Sequence, residues 1–298
     1  APRRFEPVMR PAAALRIATC RPLPEPDQDE DLLLEALRAA GIDAVMAGWR
    51  GGGTDWREPV PTLLRSTWDY LHAVDDFEAW VGVAAAAAPL WNPPAVLFGN
   101  LHKRYLLGLA ARGVPVTPTV LLPRGEPRRL SAIAAERGWQ DLVLKPAIGA
   151  ASFETHRLRP GAGAPSAWAQ ADSLCARLVA ARDMLVQPYL SSVEGHGERA
   201  LVWIDGEFTH AVRKTPRFAD GVEQVSEALP ISAAEHALGT AALAGLESEL
   251  LYARVDVAPG ADGAPVVMEL ELIEPSLFLA QSPVALQRLV DAVVRRLG

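Results

Sequence analysis

An α/β chain that opens with a small doubly wound layer is the architecture this sequence predicts. Three observations lead there. The first fifty residues give a short apolar strand, a loop, an amphipathic helix and a second strand, the order that begins such a layer. Two later stretches, 199–213 and 251–273, read as hairpins with helices between them. The 298 residues, 50% hydrophobic and 22% charged, suffice for two domains or one large α/β domain with a sizeable core.

Composition excludes several function classes. A net charge of −7 argues against a nucleic-acid binder that relies on broad phosphate attraction, so local basic residues must do any phosphate binding. Two cysteines, Cys20 and Cys175, make no disulfide framework and fit a reducing cytoplasm. The longest apolar run, Val83–Leu90, is mostly Ala and too short to span a bilayer. The opening APRRFEPVMRPA carries arginines but no apolar signal-peptide core.

Leu15–Thr19 is the first strand, followed by RPLPEPDQDED, a loop rich in Pro and acid. Asp29 or Asp31 can cap a helix through LLLEALRAA, and Gly41 suits the position past its end. Ile42–Ala47 is the second strand. No G-x-G-x-x-G lies between them, so no dinucleotide site is expected. GGGTD at 51–55 reads as a flexible connection, because no helix pattern follows it. Thr62–Leu64 then leads into Arg65-Ser66-Thr67-Trp68-Asp69-Tyr70, a polar and aromatic cluster at a strand's carboxyl end, where α/β proteins bind ligands. It reads as a substrate pocket: Arg65 for a carboxylate, Ser66 and Thr67 as hydrogen-bond donors, Trp68 or Tyr70 as walls, with Asp69 in the same run. The blander alternative is a capped helix start with one packed Trp. A helix over Asp75–Ala88 follows, and WNPP at 91–94 breaks the chain at a plausible domain boundary.

Asn100 is a sound N-cap for a helix whose leucines at 101, 106, 107 and 109 share a face and which Gly113 ends. That places Lys103 in the first turn, where a cation is mildly unfavourable unless an anion binds nearby. After a helix near Leu130–Arg137, an apolar strand delivers Lys145 and then the small residues Gly149-Ala150-Ala151-Ser152. Small residues let backbone N–H groups approach an anion closely. This is not the P-loop pattern. Met184–Leu190 is a strand containing Gln187-Pro188-Tyr189, after a helix over Ala167–Ala181. Asp205-Gly206 joins Arg199–Ile204 to Glu207–Arg213, the strongest short hairpin signal in the chain. A long helix from Ala233 to Leu250 and a closing helix, Pro283–Leu297, flank the last hairpin.

That hairpin, Leu251–Ala258 and Pro265–Ile273, organises the rest. Glu269 and Glu271 are two apart on one strand and therefore share a face, and Asp256 can join them from the neighbouring strand. Clustered carboxylates repel and are costly to desolvate unless a cation neutralises them. Oxygen ligands of this kind suit Mg²⁺ held by one or two carboxylates plus substrate phosphates. A half-exposed hairpin with an acidic outer face is the competing reading, and Arg254 beside Asp256 counts against it.

Lys103, Lys145 with its small-residue loop, Gln187-Pro188-Tyr189, the Asp-Gly hairpin ending in Arg213, Arg254-x-Asp256 and Glu269-x-Glu271 occur in that order. From Leu15 to the end, the sequence resembles the ATP-grasp ligases, particularly their glutathione-synthetase-like branch. RSTWDY together with MELELIEPSLFL is most similar to the bacterial cycloserine-synthetase group. The resemblance implies an ATP-grasp fold, α/β and α+β. A small doubly wound N-terminal domain (13–95) is expected before two lobes that clamp ATP, 96–186 and 187–298.

It also implies roles. Lys103 and Lys145 would contact the ATP phosphates, and Gly149, Ala150, Ala151 and Ser152 would close over them. Gln187, Tyr189 and Leu190 lie where adenine is read, with Glu194 or Glu198 on the ribose. Arg213 and Arg254 would face the γ-phosphate and the substrate carboxylate. Asp256, Glu269 and Glu271 would hold Mg²⁺. Many relatives have Asn where Glu271 stands, and a Gly-rich phosphate loop where this one is Ala-rich.

The implied chemistry activates a carboxylate as an acyl phosphate, with release of ADP, for attack by nitrogen; the cycloserine group closes O-ureido-D-serine in this way. Alternatives are an intermolecular carboxylate–amine ligase and a nucleotide-binding module without catalysis. The expected ligands are a small amino-acid-like substrate, ATP and Mg²⁺, with neither nucleic acid nor membrane as partner. A homo-oligomer is compatible with the sequence.

Overall fold

The structure is a computed structural model that describes residues 14–150, 152–160, 165–215 and 224–298. Among these residues the strands form three four-stranded sheets. The first contains β1 (Leu15–Thr19), β2 (Ala44–Gly48), β3 (Thr62–Leu64) and β4 (Leu90–Trp91), all parallel, in the order β2-β1-β3-β4. Because successive strand residues face opposite ways, Leu15 and Ile17 pack with Leu33 and Leu37 of α1 (Glu30–Ala39). Ala18 and Leu64 pack instead with Phe77 and Trp80 of α2 (Val74–Ala87). A helix on each face makes the layer doubly wound, as the sequence predicts.

The chain then runs through α3 (Pro94–Leu101) and α4 (Tyr105–Ala111) into an antiparallel sheet. It comprises β5 (Val120–Leu122), β6 (Leu142–Pro146), β7 (His156–Leu158) and β8 (Met184–Pro188), ordered β5-β8-β6-β7. Leu130 and Ile133 of α5 (Leu130–Arg137), with Cys175 and Val179 of α6 (Pro165–Ala181), share a core with Val120, Leu144 and Val186.

After the short α7 (Ser192–Gly195), the third sheet is built from β9 (Glu198–Ile204), β10 (Glu207–Lys214), β11 (Tyr252–Pro259) and β12 (Pro265–Glu271). Its order is β10-β9-β11-β12, again antiparallel. Asp205 and Gly206 both take positive φ, 45° and 97°, as a two-residue type I′ turn requires. α8 (Ala233–Leu243) follows β10. The last helix, α9 (Pro283–Leu297), returns to the N-terminal layer and packs Leu289, Val290 and Val293 with Leu33 and Leu37 of α1.

Several expectations need correction. Asn100 does not cap a helix: it lies in the last turn of α3, and its buried amide donates to Leu270 O at 2.8 Å and accepts from Leu272 N at 2.9 Å. Lys103 consequently sits between α3 and α4 rather than in a helix's first turn. Asn92, in the Pro-rich break, likewise donates to Tyr252 O and Leu272 O and accepts from Leu251 N. Buried backbone groups need partners, and two asparagines supply them where the acidic hairpin meets the N-terminal layer. Asp29 precedes α1 but does not cap it, because its carboxylate accepts from the backbone of Leu277 and Leu279. α8 stops at Leu243, seven residues short of the expected end. Strands β5 and β7, three residues each, escaped the sequence reading.

Candidate active site

The two antiparallel sheets together line a cavity of ≈230 Å³. Its charged floor follows from strand register. On β11 and β12, Asp256 lies opposite Glu269 and Arg254 opposite Glu271, so all four share one face. On β10 and β9, Lys214 lies opposite Glu198. Lys214 Nζ contacts Asp256 Oδ2 at 2.7 Å, linking the two strand pairs across the sheet. Arg254 donates to both oxygens of Asp256, at 2.8 and 2.9 Å, and to Glu271. Lys145 from β6 reaches Glu269 Oε1 at 2.6 Å, and Lys103 reaches Oε2 at 3.1 Å. Carboxylates and cations thus alternate around the cavity.

The electrostatics follow the pairing. Burial alone would raise Asp256 and Glu269. Arg254 and Lys214 hold the first well below the usual carboxylate range, and Lys103 and Lys145 do the same for the second. Burial likewise opposes the charge on Lys103, yet the adjacent Glu269 more than offsets it and raises that ammonium. Glu198 is pushed up to about 8 by burial and by Asp256, against the pull of Lys214. Burial also raises Glu271 in spite of Arg254. Glu274 is pushed up to about 8, by burial first and by Glu271 second.

The cavity brings together most of the residues that the sequence singled out. Lys103, Lys145, Gly149, Ala150, Ser152, Gln187, Tyr189, Leu190, Glu198, Arg254, Asp256, Glu269 and Glu271 all line it. Ala151 lies outside the described residues. Gln187 donates to Thr119 Oγ1 at 2.9 Å, and the Arg157 guanidinium lies over the Tyr189 ring, 3.4 Å from its centroid. Beyond the small-residue loop, Phe153 meets His72 of the N-terminal layer edge-on. Of the two ribose candidates, Glu198 lines the cavity, whereas Glu194 is half exposed and pairs with Arg157.

Other expectations fare differently. Arg213 is exposed and packs over Gly197, whose φ of 78° and crowded Cα leave no room for a Cβ. Strand alternation turns its neighbour Lys214 inward. In the RSTWDY run only Trp68 lines the cavity. Arg65 is buried, donates to Pro275 O at 2.9 Å, lies 3.9 Å from Asp29 and stacks on Tyr252. Ser66 donates to Asp27, Thr67 is buried, and Asp69 accepts from Trp49 and Arg50. The Arg65, Ser66 and Asp69 side chains are thus bonded within the protein, no side chain caps the short helix that follows, and Trp68 lines the cavity. Nor do the three carboxylates converge into a cage: among the described residues no three of His, Cys, Asp or Glu are placed to hold a metal ion unaided. The Arg254 guanidinium, bonded to both Asp256 and Glu271, keeps them apart.

Glu25, Thr117, Phe153, Lys214 and Glu274 also line the cavity, and the sequence reading passed over them. Lys214, adjacent to Arg213 in AVRKT, and Glu274, three residues beyond Glu271, were open to a count of strand parity and chain length. Thr117 and Phe153 left no comparable signal.

Comparison with known proteins decides which family this arrangement represents. Residues 15–92 match the family described as D-cycloserine synthetase DcsG, N-terminal domain. The cycloserine biosynthesis protein DcsG of Streptomyces lavendulae is 34% identical over 291 residues, covering 91% of this chain and 94% of that protein. The chain belongs to the D-cycloserine synthetase family of ATP-grasp ligases. It is therefore an ADP-forming carbon–nitrogen ligase. The crystal structure of D-cycloserine synthetase DcsG superposes with a TM-score of 0.84 at 32% identity, covering 95% of this chain and 99% of that one. D-alanine–D-alanine ligase from Bacillus anthracis shares the fold, with a TM-score of 0.64 at 14% identity and coverage of 96% and 97%. So does the ATP-grasp ligase PsnB, solved with Mg and ADP among its ligands, with a TM-score of 0.61 at 20% identity and coverage of 96% and 99%. In this ATP-grasp ligase, the parallel N-terminal sheet and the two antiparallel lobes are the three parts of the fold.

Proposed function

We propose that this ligase closes O-ureido-D-serine into cycloserine through an acyl phosphate, with ATP as phosphoryl donor and Mg²⁺ as its counter-ion. The observation that carries this reading is the convergence of Lys103 and Lys145 on Glu269, beside Arg254 and Asp256, in one cavity. Such an array matches a triphosphate and a carboxylate brought together.

The donor set fits a magnesium-nucleotide better than a bare ion. Its donors are all carboxylate oxygens, each already balanced by a protein cation, and phosphate oxygens would complete the coordination. Asp256, Glu269 and Glu271 are the carboxylates that would hold the ion. When bound, Mg²⁺ neutralises phosphate charge. Lys103 and Lys145 bind phosphate oxygens, and Gly149, Ala150 and Ser152 cover them. Gln187, Tyr189 and Leu190 border the base, and Glu198 the ribose. Arg254 orients the substrate carboxylate, whose oxygen attacks the γ-phosphorus as ADP departs. The ureido nitrogen bonded to oxygen then attacks the acyl carbon and expels phosphate, which closes the ring. Water then cleaves the carbamoyl group from that nitrogen as carbon dioxide and ammonia, which gives cycloserine.

Lys214, next to Arg213 on β10, supplies positive charge beside Asp256. The relative from Streptomyces lavendulae carries cycloserine biosynthesis in its name, and nearly its full length aligns here. Measuring ADP release with O-ureido-D-serine alone, and with amino-acid and amine pairs, tests the proposal. ADP formation with the single organic substrate is expected. A requirement for two would replace ring closure with intermolecular ligation.

A further inference from the structure

Glu274 stands apart from its neighbours in the cavity wall. Asp256, Glu198, Glu269 and Glu271 each contact a lysine or an arginine. Glu274 also lines the cavity, yet the residue is only 8% exposed and its carboxyl, which accepts from its own backbone N–H, makes no hydrogen bond or ion pair with another described residue. Lys103 and Arg254 act on it from a distance, their contacts being taken by Glu269 and by Asp256 and Glu271. Trp68 stands beside it. The indole N–H donates to the Glu274 carbonyl oxygen at 3.1 Å, which fixes the ring against this segment while it lines the same cavity.

A buried carboxylate without a counter-charge in contact is costly, and a cation of the right size removes the cost. An indole next to it adds attraction for an ammonium group. We infer that Glu274 and Trp68 form the subsite for a substrate ammonium, so that the enzyme selects a zwitterionic amino acid over a plain carboxylic acid. This rests on the carboxylate-activation reading above. In an α-amino acid the ammonium and the carboxylate flank one carbon, and Glu274 and Arg254 are near enough to feel each other's charge.

The electrostatics agree. Glu274 is pushed up to about 8 by burial and Glu271. The charged or titratable groups that act on it or feel it are Glu271 on β12, Arg254 and Tyr252 on β11, Lys103 between α3 and α4, and Tyr70 after β3. A bound ammonium favours the ionised carboxylate, so binding near pH 7 releases a proton.

The test compares O-ureido-D-serine with its des-amino counterpart, 3-(carbamoylaminooxy)propanoic acid. Binding is measured by calorimetry and turnover by ADP release, in the full chain and in its Glu274→Gln and Glu274→Asp variants. The wild type is expected to bind the amino acid at least tenfold more tightly. Glu274→Gln should abolish that preference and Glu274→Asp restore part of it, with ATP affinity constant. Equal affinity for the two compounds in the wild type, or an undiminished preference in Glu274→Gln, overturns the subsite. ADP formed equally from both compounds also overturns it and leaves carboxylate activation standing. A binding preference with no ADP from either compound does the reverse.

Discussion

Lys145 and Glu269 are 124 residues apart in the chain, yet Nζ and Oε1 lie 2.6 Å apart. One comes from the middle sheet and the other from the C-terminal sheet, so their contact joins the two lobes. The same carboxylate also accepts from Lys103 at 3.1 Å. A single carboxylate therefore holds both lysines proposed to bind phosphate.

Replacing that carboxylate should damage turnover and stability together. Glu269→Gln is expected to lower kcat at least tenfold, about 1.4 kcal/mol of barrier. It also leaves two lysines crowded without a counter-charge, so the melting temperature of the nucleotide-free protein should fall. A Mg²⁺ titration of kcat checks the assignment, and near-normal turnover at limiting Mg²⁺ would remove Glu269 from the metal site.

Lys145→Met acts on the other partner. The methionine keeps the length of the side chain but not its charge, so nucleotide affinity should fall severalfold. Lys103 remains to satisfy Glu269, and the fold should survive. Fluorescent-nucleotide titration with circular dichroism on the same sample checks both halves, and unchanged nucleotide affinity would make the lysine structural.

Much of this site was legible in the sequence because strand alternation is a strict rule. Asp256, Glu269 and Glu271 were placed together from spacing alone, and the register puts Asp256 opposite Glu269. The resemblance singles out Arg213 instead, one residue before Lys214 on β10, and a one-residue shift reverses the face. Asn100 misled for another reason. Its side chain satisfies backbone groups of Leu270 and Leu272, about 170 residues away, and local propensity carries no trace of so distant a partner. Arg65 is similar: a polar run at a strand's carboxyl end suggested a ligand, but Pro275 and Asp29 use the guanidinium.

Arg65→Ala is accordingly expected to destabilise rather than to disable. The change removes the bond to Pro275 and the charge nearest Asp29, which burial already pushes upward. A cost of about 3 kcal/mol is typical of opening a buried pair. Thermal melts should show it, while kcat and KM of the folded enzyme stay near the wild-type values. An unchanged melting temperature with a raised substrate KM would return Arg65 to the substrate pocket.

The raised carboxyls give a pH signature. A group whose folded pKa lies above its unfolded value binds more protons when folded, so stability is lost as pH rises between the two. For Glu198 and Glu274 that window runs from the ordinary glutamate value near 4.5 to about 8. The nucleotide-free protein should lose melting temperature across it, and Glu274→Gln should flatten part of the slope. Melting curves from pH 5 to 9 decide the matter, and parallel profiles for wild type and variant would contradict it.

The central claim is that the substrate carboxylate is phosphorylated before nitrogen attacks. O-ureido-D-serine labelled with ¹⁸O in both carboxylate oxygens, incubated with ATP, Mg²⁺ and the enzyme, tests it through the mass of the phosphate released. Activation through an acyl phosphate delivers one labelled oxygen to each phosphate formed, in step with ADP and with cycloserine. Phosphate released without label would show that the carboxylate never attacked phosphorus, and would contradict the account at its first step.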